Sequence, residues 1–298
     1  MRKAVYGVLA VFACVSAILV LTETAPPSEV EVLAIRENRA FLVTSAEETL
    51  ELTLFLSHGE TFLTERANIV GARIVGDDVS LAMTVAAVVP GETTMYRGNE
   101  YLVYHFLLDW QEVYLTSGRL DVHEAKFELD YRNGVEMSLA IGDLSLVFAP
   151  VAPATHIDFF RLYGETVHLD GRERLVALVI GLEPRVLGSL TITMIELCLR
   201  GVSLDLAGGV LLDPDGAERM PPASSPSGGI MLGESGLYRF PLIDGSSGIA
   251  FSRFPLLIHY RYLGVDLVYA IDDFQYFRKP FFAEVDDADI SRYRHHYS

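Results

Sequence analysis

Gly134-Val135-Glu136-Met137-Ser138-Leu139-Ala140-Ile141-Gly142-Asp143-Leu144 aligns without a gap on Gly264-Val265-Asp266-Leu267-Val268-Tyr269-Ala270-Ile271-Asp272-Asp273-Phe274. Gly, Val, Ala, Ile and the second Asp match outright, and Glu/Asp, Met/Leu and Leu/Phe match in kind. Tyr131-Arg132 precedes the first stretch and Tyr260-Arg261 the second, with one extra residue before the glycine in the second. Self-similarity at this spacing predicts a duplicated unit rather than one long domain.

The residues around each stretch define the unit. Phe127-Glu-Leu-Asp-Tyr-Arg132 alternates between apolar and polar, Asn133-Gly134 punctuates it, and Val135 to Ile141 alternates back. Period-two alternation places one strand face in a core and the other in water. Asn-Gly between such strands predicts a hairpin with a type I′ turn. Leu256 to Tyr262, Leu263-Gly264 and Val265 to Ile271 repeat the arrangement. The shared Asp143 and Asp273 are expected to cap or turn the end of each return strand.

Upstream, Val30–Val43, Leu50–Leu56, Ile69–Val75, Val79–Val85, Tyr101–Trp110 and Glu112–Thr116 read as strands. Gly76-Asp77-Asp78 is turn chemistry, and Pro90-Gly91 is expected to close the Val79 strand. In the second unit, Leu175–Leu182, Leu190–Leu199 and Val202–Leu206 follow, and Val202-Ser203-Leu204 echoes Val79-Ser80-Leu81. Asp213 to Gly236 departs from the repeat: 13 of its 24 residues are Gly, Pro or Ser, so it is expected to be a mobile loop.

The N-terminus differs from the rest. Met1-Arg2-Lys3 precedes Ala4–Leu21, 18 residues without a charge. That length suits a membrane span with its positive end in the cytoplasm. Retention as an anchor is the first expectation. Cleavage after Val15-Ser16-Ala17 and lipidation at Cys14 are alternatives, and all three place the remainder outside the cytoplasm. Thr22 to Glu29, with Pro26-Pro27, is an extended spacer.

The expected organisation is therefore all-β. Residues 1–29 form a signal anchor or signal peptide, an apolar helix with its spacer. Residues 30–150 and 155–277 form two tandem antiparallel β-sandwich domains, and residues 278–298 form a tail. The sandwiches are immunoglobulin-like only in the loose architectural sense, because the Cys…Trp…Cys signature is absent.

Composition excludes more than it identifies. The net charge is −17, and Arg2 and Lys3 are the only charges before Glu23, so the acidic excess falls on the exported part. Such a field repels nucleic acid. Cys198 lies in an alternating run without a flanking His or cationic cluster and reads as a buried small hydrophobe. Asp213-Pro214-Asp215-Gly216 could offer carboxylates to calcium but reads as a turn. Asp287-Ala-Asp289-Ile-Ser291 begins like a calcium loop but has Arg292 at the glycine position. His295-His296 lacks a third metal ligand. Gly-x-Ser-x-Gly does not occur.

No cofactor, metal or catalytic set is assigned, and the reading leans away from an enzyme. The expected role is a membrane-tethered extracytoplasmic binding or scaffolding protein of the bacterial envelope. Its partner would be another envelope protein or polymer, with membrane contact through the N-terminal segment. An envelope-polymer hydrolase with interdomain carboxylates and an accessory subunit of a membrane complex are the alternatives. The partner surface is expected where the copies differ, at Asp213, Asp215, Tyr260, Tyr262, Tyr276, Phe281 and Phe282.

Overall fold

The computed structural model describes residues 29–44, 49–59, 61–110, 118–148, 156–169, 172–186, 188, 190–199, 202–213, 229–243, 252–275, 285 and 287–296. The expected N-terminal helix, the Glu112–Thr116 strand, Asp215, Tyr276, Phe281 and Phe282 lie outside these residues. The described chain is nearly all β. Its strands are β1 Glu29–Ile35, β2 Glu37–Val43, β3 Thr49–Leu56, β4 Ile69–Val75, β5 Ser80–Tyr96, β6 Asn99–Trp110, β7 Gly118–Tyr131, β8 Glu136–Phe148 and β9 Ile157–Leu169. They continue as β10 Arg172–Pro184, β11 Leu190–Leu197, β12 Ser203–Leu204, β13 Val210–Leu212, β14 Ile230–Leu232, β15 Gly236–Ile243, β16 Ser252–Tyr262, β17 Val265–Gln275 and β18 Ile290–His296. Among the described residues no helix is long and apolar enough to cross a membrane.

The pairings repeat along the chain. β1 pairs with β3, β3 with β6, β4 with β7 and β7 with β8. In the same order, β9 pairs with β10, β10 with β15, β11 with β16 and β16 with β17. All eight pairings are antiparallel. Alternation along these strands feeds two main cores. In the first, the large sheet folds over itself, so that Phe106 of β6 meets Phe127 of β7 edge-on at 5.9 Å. The second fills the space between the large sheet and the smaller β12-β15-β10-β9 sheet, with Ile180, Ile192, Phe240 and Ile258 fully buried.

One strand joins the halves. The chain breaks at Arg36, and β2 leaves the β1 edge to pair in parallel with β8, Glu37 opposite Gly142 through Val43 opposite Phe148. The other edge of β2 pairs in parallel with β16, Asn38 opposite Ser252. Ala40 of β2 and Val147 of β8 are buried in the second core. Since β8 leaves its hairpin parallel to β2 while β16 enters its hairpin parallel to β2, the two hairpins point in opposite directions. The tip at residues 132–134 lies towards Glu29, and the tip at Leu263-Gly264 lies at the far end.

The last strand returns to the first. β18 pairs antiparallel with β1 over seven residues, from Glu29 opposite His296 to Ile35 opposite Ile290. Ser291 Oγ accepts the Ala140 N–H of β8 at 2.9 Å, so β18 also approaches β8. The region expected to be a tail thus contributes a strand to the N-terminal half.

Several local expectations change. Asn133-Gly134 does not make a type I′ turn. Gly134 N–H bonds Tyr131 O, Tyr131 N–H bonds Val135 O, and only the glycine has positive φ (82°). This is a three-residue turn with a glycine bulge, and the Asn133 side chain accepts the Val135 N–H instead. Pro90-Gly91 does not end β5. The strand passes through it as a bulge, where a missing N–H is tolerated. The Val79/Val202 echo leads to different partners, Ser80 opposite Val75 but Ser203 opposite Ile243. Asp143 lies within β8, where its carboxylate accepts the Glu124 N–H at a bulge. The glycine-rich insertion contains β14, paired with β11.

Gly142 carries the junction. Its φ is 93°, and a Cβ there would lie 2.0 Å from Glu37 O. Gly142→Ala is therefore expected to destabilise the fold by roughly 2–4 kcal/mol, from the left-handed backbone and the displaced β2. Chemical denaturation checks this; a midpoint equal to wild type would show that β2 does not need the close approach.

Candidate interaction surface

The two ends of the strand path have opposite chemistry. At the Glu29 end, charge fixes β18 to β1. Arg294 reaches Glu31 at 3.0 Å and Glu29 at 3.7 Å, and the Tyr101 hydroxyl donates to Glu31 at 2.6 Å. Asp287 accepts from Tyr96 and pairs with Arg97 and with Arg292. Beneath these groups Leu33, Phe55, Tyr96, Tyr101, Val285 and Ile290 form a small third core. Burial pushes the Glu31 carboxyl up, but the Tyr101 hydrogen bond and Arg294 more than offset it, and the group is held below its ordinary value. Burial, then the bond to Glu31, pushes the Tyr101 hydroxyl up to about 12. His295 and His296 face opposite ways on β18, as neighbours on a strand must. His295 packs on Phe62 with rings 5.7 Å apart, and His296 approaches Glu29 at 3.9 Å.

The other end is the β16–β17 hairpin tip. Tyr262 pairs with Val265 across a two-residue turn in which Leu263 (φ 50°) and Gly264 (φ 81°) are both left-handed. This is the type I′ geometry, and it favours Asn, Asp or Gly at its first position. Leucine there costs roughly 1–2 kcal/mol of backbone strain. Leu263 is also 80 % exposed and Val265 57 %, so the strain is not repaid by packing. Arg261 holds Asp266 across the strands at 2.8 and 3.2 Å; that hydrogen bond keeps the Asp266 carboxyl below its ordinary range.

Below the tip is a ring of aromatic groups. His156, just before β9, packs against Tyr262 with ring centroids 4.8 Å apart and the rings tilted by 38°. Its Nδ1 lies 3.0 Å from the Tyr260 hydroxyl. Phe159 meets Tyr269 at 6.4 Å. Phe160 is the extra residue of a β-bulge on the outer strand β9 and lies over Gly181, 55 % exposed. Bulges re-aim side chains in this way at sheet edges.

Of the residues expected to meet a partner, Tyr262 belongs to this ring. Tyr260 does not offer a surface. It is 2 % exposed, because alternation turns it into the second core and only its hydroxyl reaches His156. Asp213 is half-buried just after β13. The reading missed His156, Phe159, Phe160, Leu263 and Val265. Leu-Gly in place of Asn-Gly was the available signal for the tip.

Elsewhere the polar groups are engaged structurally. His105 Nδ1 faces both Glu51 Oε1 (2.8 Å) and Thr53 Oγ1 (3.3 Å). Acid and hydroxyl share one ring nitrogen, so the imidazole cannot relay a proton between them as a triad does. Near the junction, Glu196 pairs with His259 at 3.4 Å, a hydrogen bond that lowers its carboxyl pKa. Cys198 is buried, which pushes its thiol up to about 12. Among the described residues no group of three or more His, Cys, Asp or Glu could hold a metal ion. A cavity of about 350 Å³ opens where β4 and β5 diverge, and Arg66 spans it, donating to Ile69 O and Val85 O.

No family model matches this chain. No curated protein sequence matches it either. Among solved structures, it is similar to the C-terminal domain of the Streptococcus agalactiae AgI/II polypeptide BspA, at 10 % identity and a TM-score of 0.21, over 80 % of this chain and 97 % of that one. A marsupial T cell receptor gives 13 % identity and a TM-score of 0.21 over 84 % and 98 %. A chain titled BspA_C_mut gives 9 % and 0.20 over 82 % and 98 %. At such scores the likeness carries nothing about function.

Two outcomes follow from the geometry of the two ends. Leu263→Asn relieves the turn and is expected to stabilise the protein by about 1 kcal/mol; thermal unfolding checks the sign, and a lower midpoint would mean that Leu263 packs natively. At the other end, Glu31 contributes fully above its ordinary value of 4.5 and loses that contribution as pH falls through its lower folded value. Glu31→Gln should therefore lower the unfolding midpoint near neutrality and flatten its fall in acid. An unchanged acid limb would remove Glu31 from the account.

Proposed function

We propose that this chain is a membrane-tethered extracytoplasmic binding or scaffolding protein of the bacterial envelope. It consists of two tandem copies of one β-sandwich, presenting an apolar hairpin at the end remote from its tether. The duplicated Gly-Val-acid stretches and the recurring strand pairings support the tandem reading. The uncharged Ala4–Leu21 segment behind Arg2-Lys3 supports the tether.

The observation that carries the proposal is the reversal of the two hairpins. β1 begins at Glu29, directly after the spacer, and β18 ends beside it. β2 and β16 then continue in one direction to Leu263. At ~3.3 Å per residue, the strand path from Glu29 to Leu263 is on the order of 60 Å. A chain tethered by residues 1–21 would hold its polar hairpin near the membrane and its apolar hairpin far from it. The far tip places exposed Leu263 within a left-handed turn and exposed Val265 beside it, as a surface kept for contact would.

A single cysteine tests topology and exposure together. Leu263→Cys, in a chain with Cys14 and Cys198 replaced by Ala, should be labelled by a membrane-impermeant maleimide added to intact spheroplasts. Labelling only after lysis would contradict the extracytoplasmic placement.

A further inference from the structure

Both sheets end in strands with one edge unpaired among the described residues, and such an edge is a template for another strand. The end strands differ in what they would accept. β12, β13 and β14 have three residues or fewer. β17 carries three acids and no base, and β18 two arginines and no acid, so a second copy of either would meet like charge. β9 runs for 13 residues, pairs among the described residues with β10 alone, and carries both signs.

The middle of β9 is regular. Arg161 to Glu165 oppose Gly181 to Ala177 without a break, and the bulge at Phe160 lies just before them. Alternation turns Leu162 towards the second core, against which it packs, and sends Arg161, Tyr163 and Glu165 to the outer face. The Arg161 guanidinium lies over the Tyr163 ring, 5.0 Å from its centre. Arg239 of β15 donates to Glu165 Oε2 at 2.7 Å, and a carboxylate has room for more than one donor. Base, ring and acid thus follow one another at every second residue.

That order is its own complement. An antiparallel copy turned about a two-fold axis through Tyr163 sets Arg161 opposite Glu165 and Glu165 opposite Arg161. Opposite charges facing across strands stabilise a pairing, and like charges weaken it. Moving the axis to Arg161 or to Glu165 would face like charges. On the inner face the same register sets Leu162 opposite Gly164, which adds no side chain over the second core. On the outer face exposed Val167 of one copy follows Glu165 and arrives beside exposed Phe160 of the other.

We infer that β9 pairs antiparallel with β9 of a second copy about Tyr163, joining the two smaller sheets into one. This goes beyond the proposed function and needs neither the tether nor the Leu263 tip. Strand edges alone fall short of the ~800 Å² that each partner gives a stable interface, so the pairing is concentration-dependent. Antiparallel strands point the two copies in opposite directions, and chains in detergent micelles are free to meet in that orientation.

The test uses the full chain in detergent micelles with Cys14 and Cys198 replaced by Ala. Tyr163→Cys opposes itself across the axis, whereas two Val167→Cys thiols lie more than about 20 Å apart along the strands. Mild oxidation should link Tyr163→Cys chains at least about fivefold faster than Val167→Cys chains, because a disulfide needs its Cα atoms within about 7 Å. Equal linking at both positions, or none at either, overturns the inference.

Charge exchange then tests the register. In the Tyr163→Cys chain, Arg161→Glu or Glu165→Arg faces like charges twice and should slow linking at least about fivefold. Mixed one to one, the two variants face unlike charges again and should link to each other near the parent rate. Undiminished linking by either variant alone overturns the inference, and is the result expected of association through residues 1–21. So does a failure to recover on mixing when both variants keep the parent's unfolding midpoint. If a charge variant unfolds, the comparison of Tyr163→Cys with Val167→Cys decides alone.

Discussion

The parallel pairing of β2 with both β8 and β16 is the constraint on which the rest of the molecule depends. It requires Gly142, because the β2 main chain passes where any side chain at that position would lie. Once β2 is seated, Ala40 and Val147 close the second core from the N-terminal half. The halves then share hydrogen bonds and apolar burial, which resist relative motion better than a polar contact between separate domains would. The directions of both hairpins follow from the same pairing.

The second half does not repeat this arrangement. The residue aligned with Gly142 is Asp272, and a residue with a Cβ cannot allow the same approach. β9 stays with β10 and makes no crossing of the β2 kind among the described residues. The outer edge of β1 is occupied by β18. The first frame is closed by β1 and β18 together. The N-terminal half became the fixed end, held by Glu31, Asp287 and their arginines. The second half carries the exposed apolar hairpin tip at Leu263 and Val265.

Much of the fold was legible because alternation is a strong signal. Phe127 to Ile141 and Leu256 to Ile271 showed their buried faces directly, and both became hairpins. Turn chemistry was less reliable. Asn133-Gly134 has the preferred type I′ sequence but forms a glycine-bulge turn, since the Asn133 side chain satisfies Val135. Leu263-Gly264, with the poorer sequence, forms the type I′ turn because its strands pair up to Tyr262 and Val265. Long-range events left no local trace. Neither the return of β18 to β1 nor the parallel crossing of β2 can be read from periodicity, which fixes the face of a strand but not its neighbour. The surface was legible only in part. Tyr262 was found by its aromatic company, whereas Tyr260 was misjudged because it shares that face but lies one pleat further from the tip, where the second core covers it.

The central claim is that the two equivalent hairpins point to opposite ends. Spin labels at Asn133→Cys and Leu263→Cys, in a chain with Cys14 and Cys198 replaced by Ala, measure this by pulsed dipolar spectroscopy. The account predicts one distance distribution centred on the order of 50 Å or more, from some twenty residues of strand path at ~3.3 Å each. Copies pointing the same way would bring the tips within about 15–25 Å, a few inter-strand spacings of ~4.8 Å. That result would contradict the account.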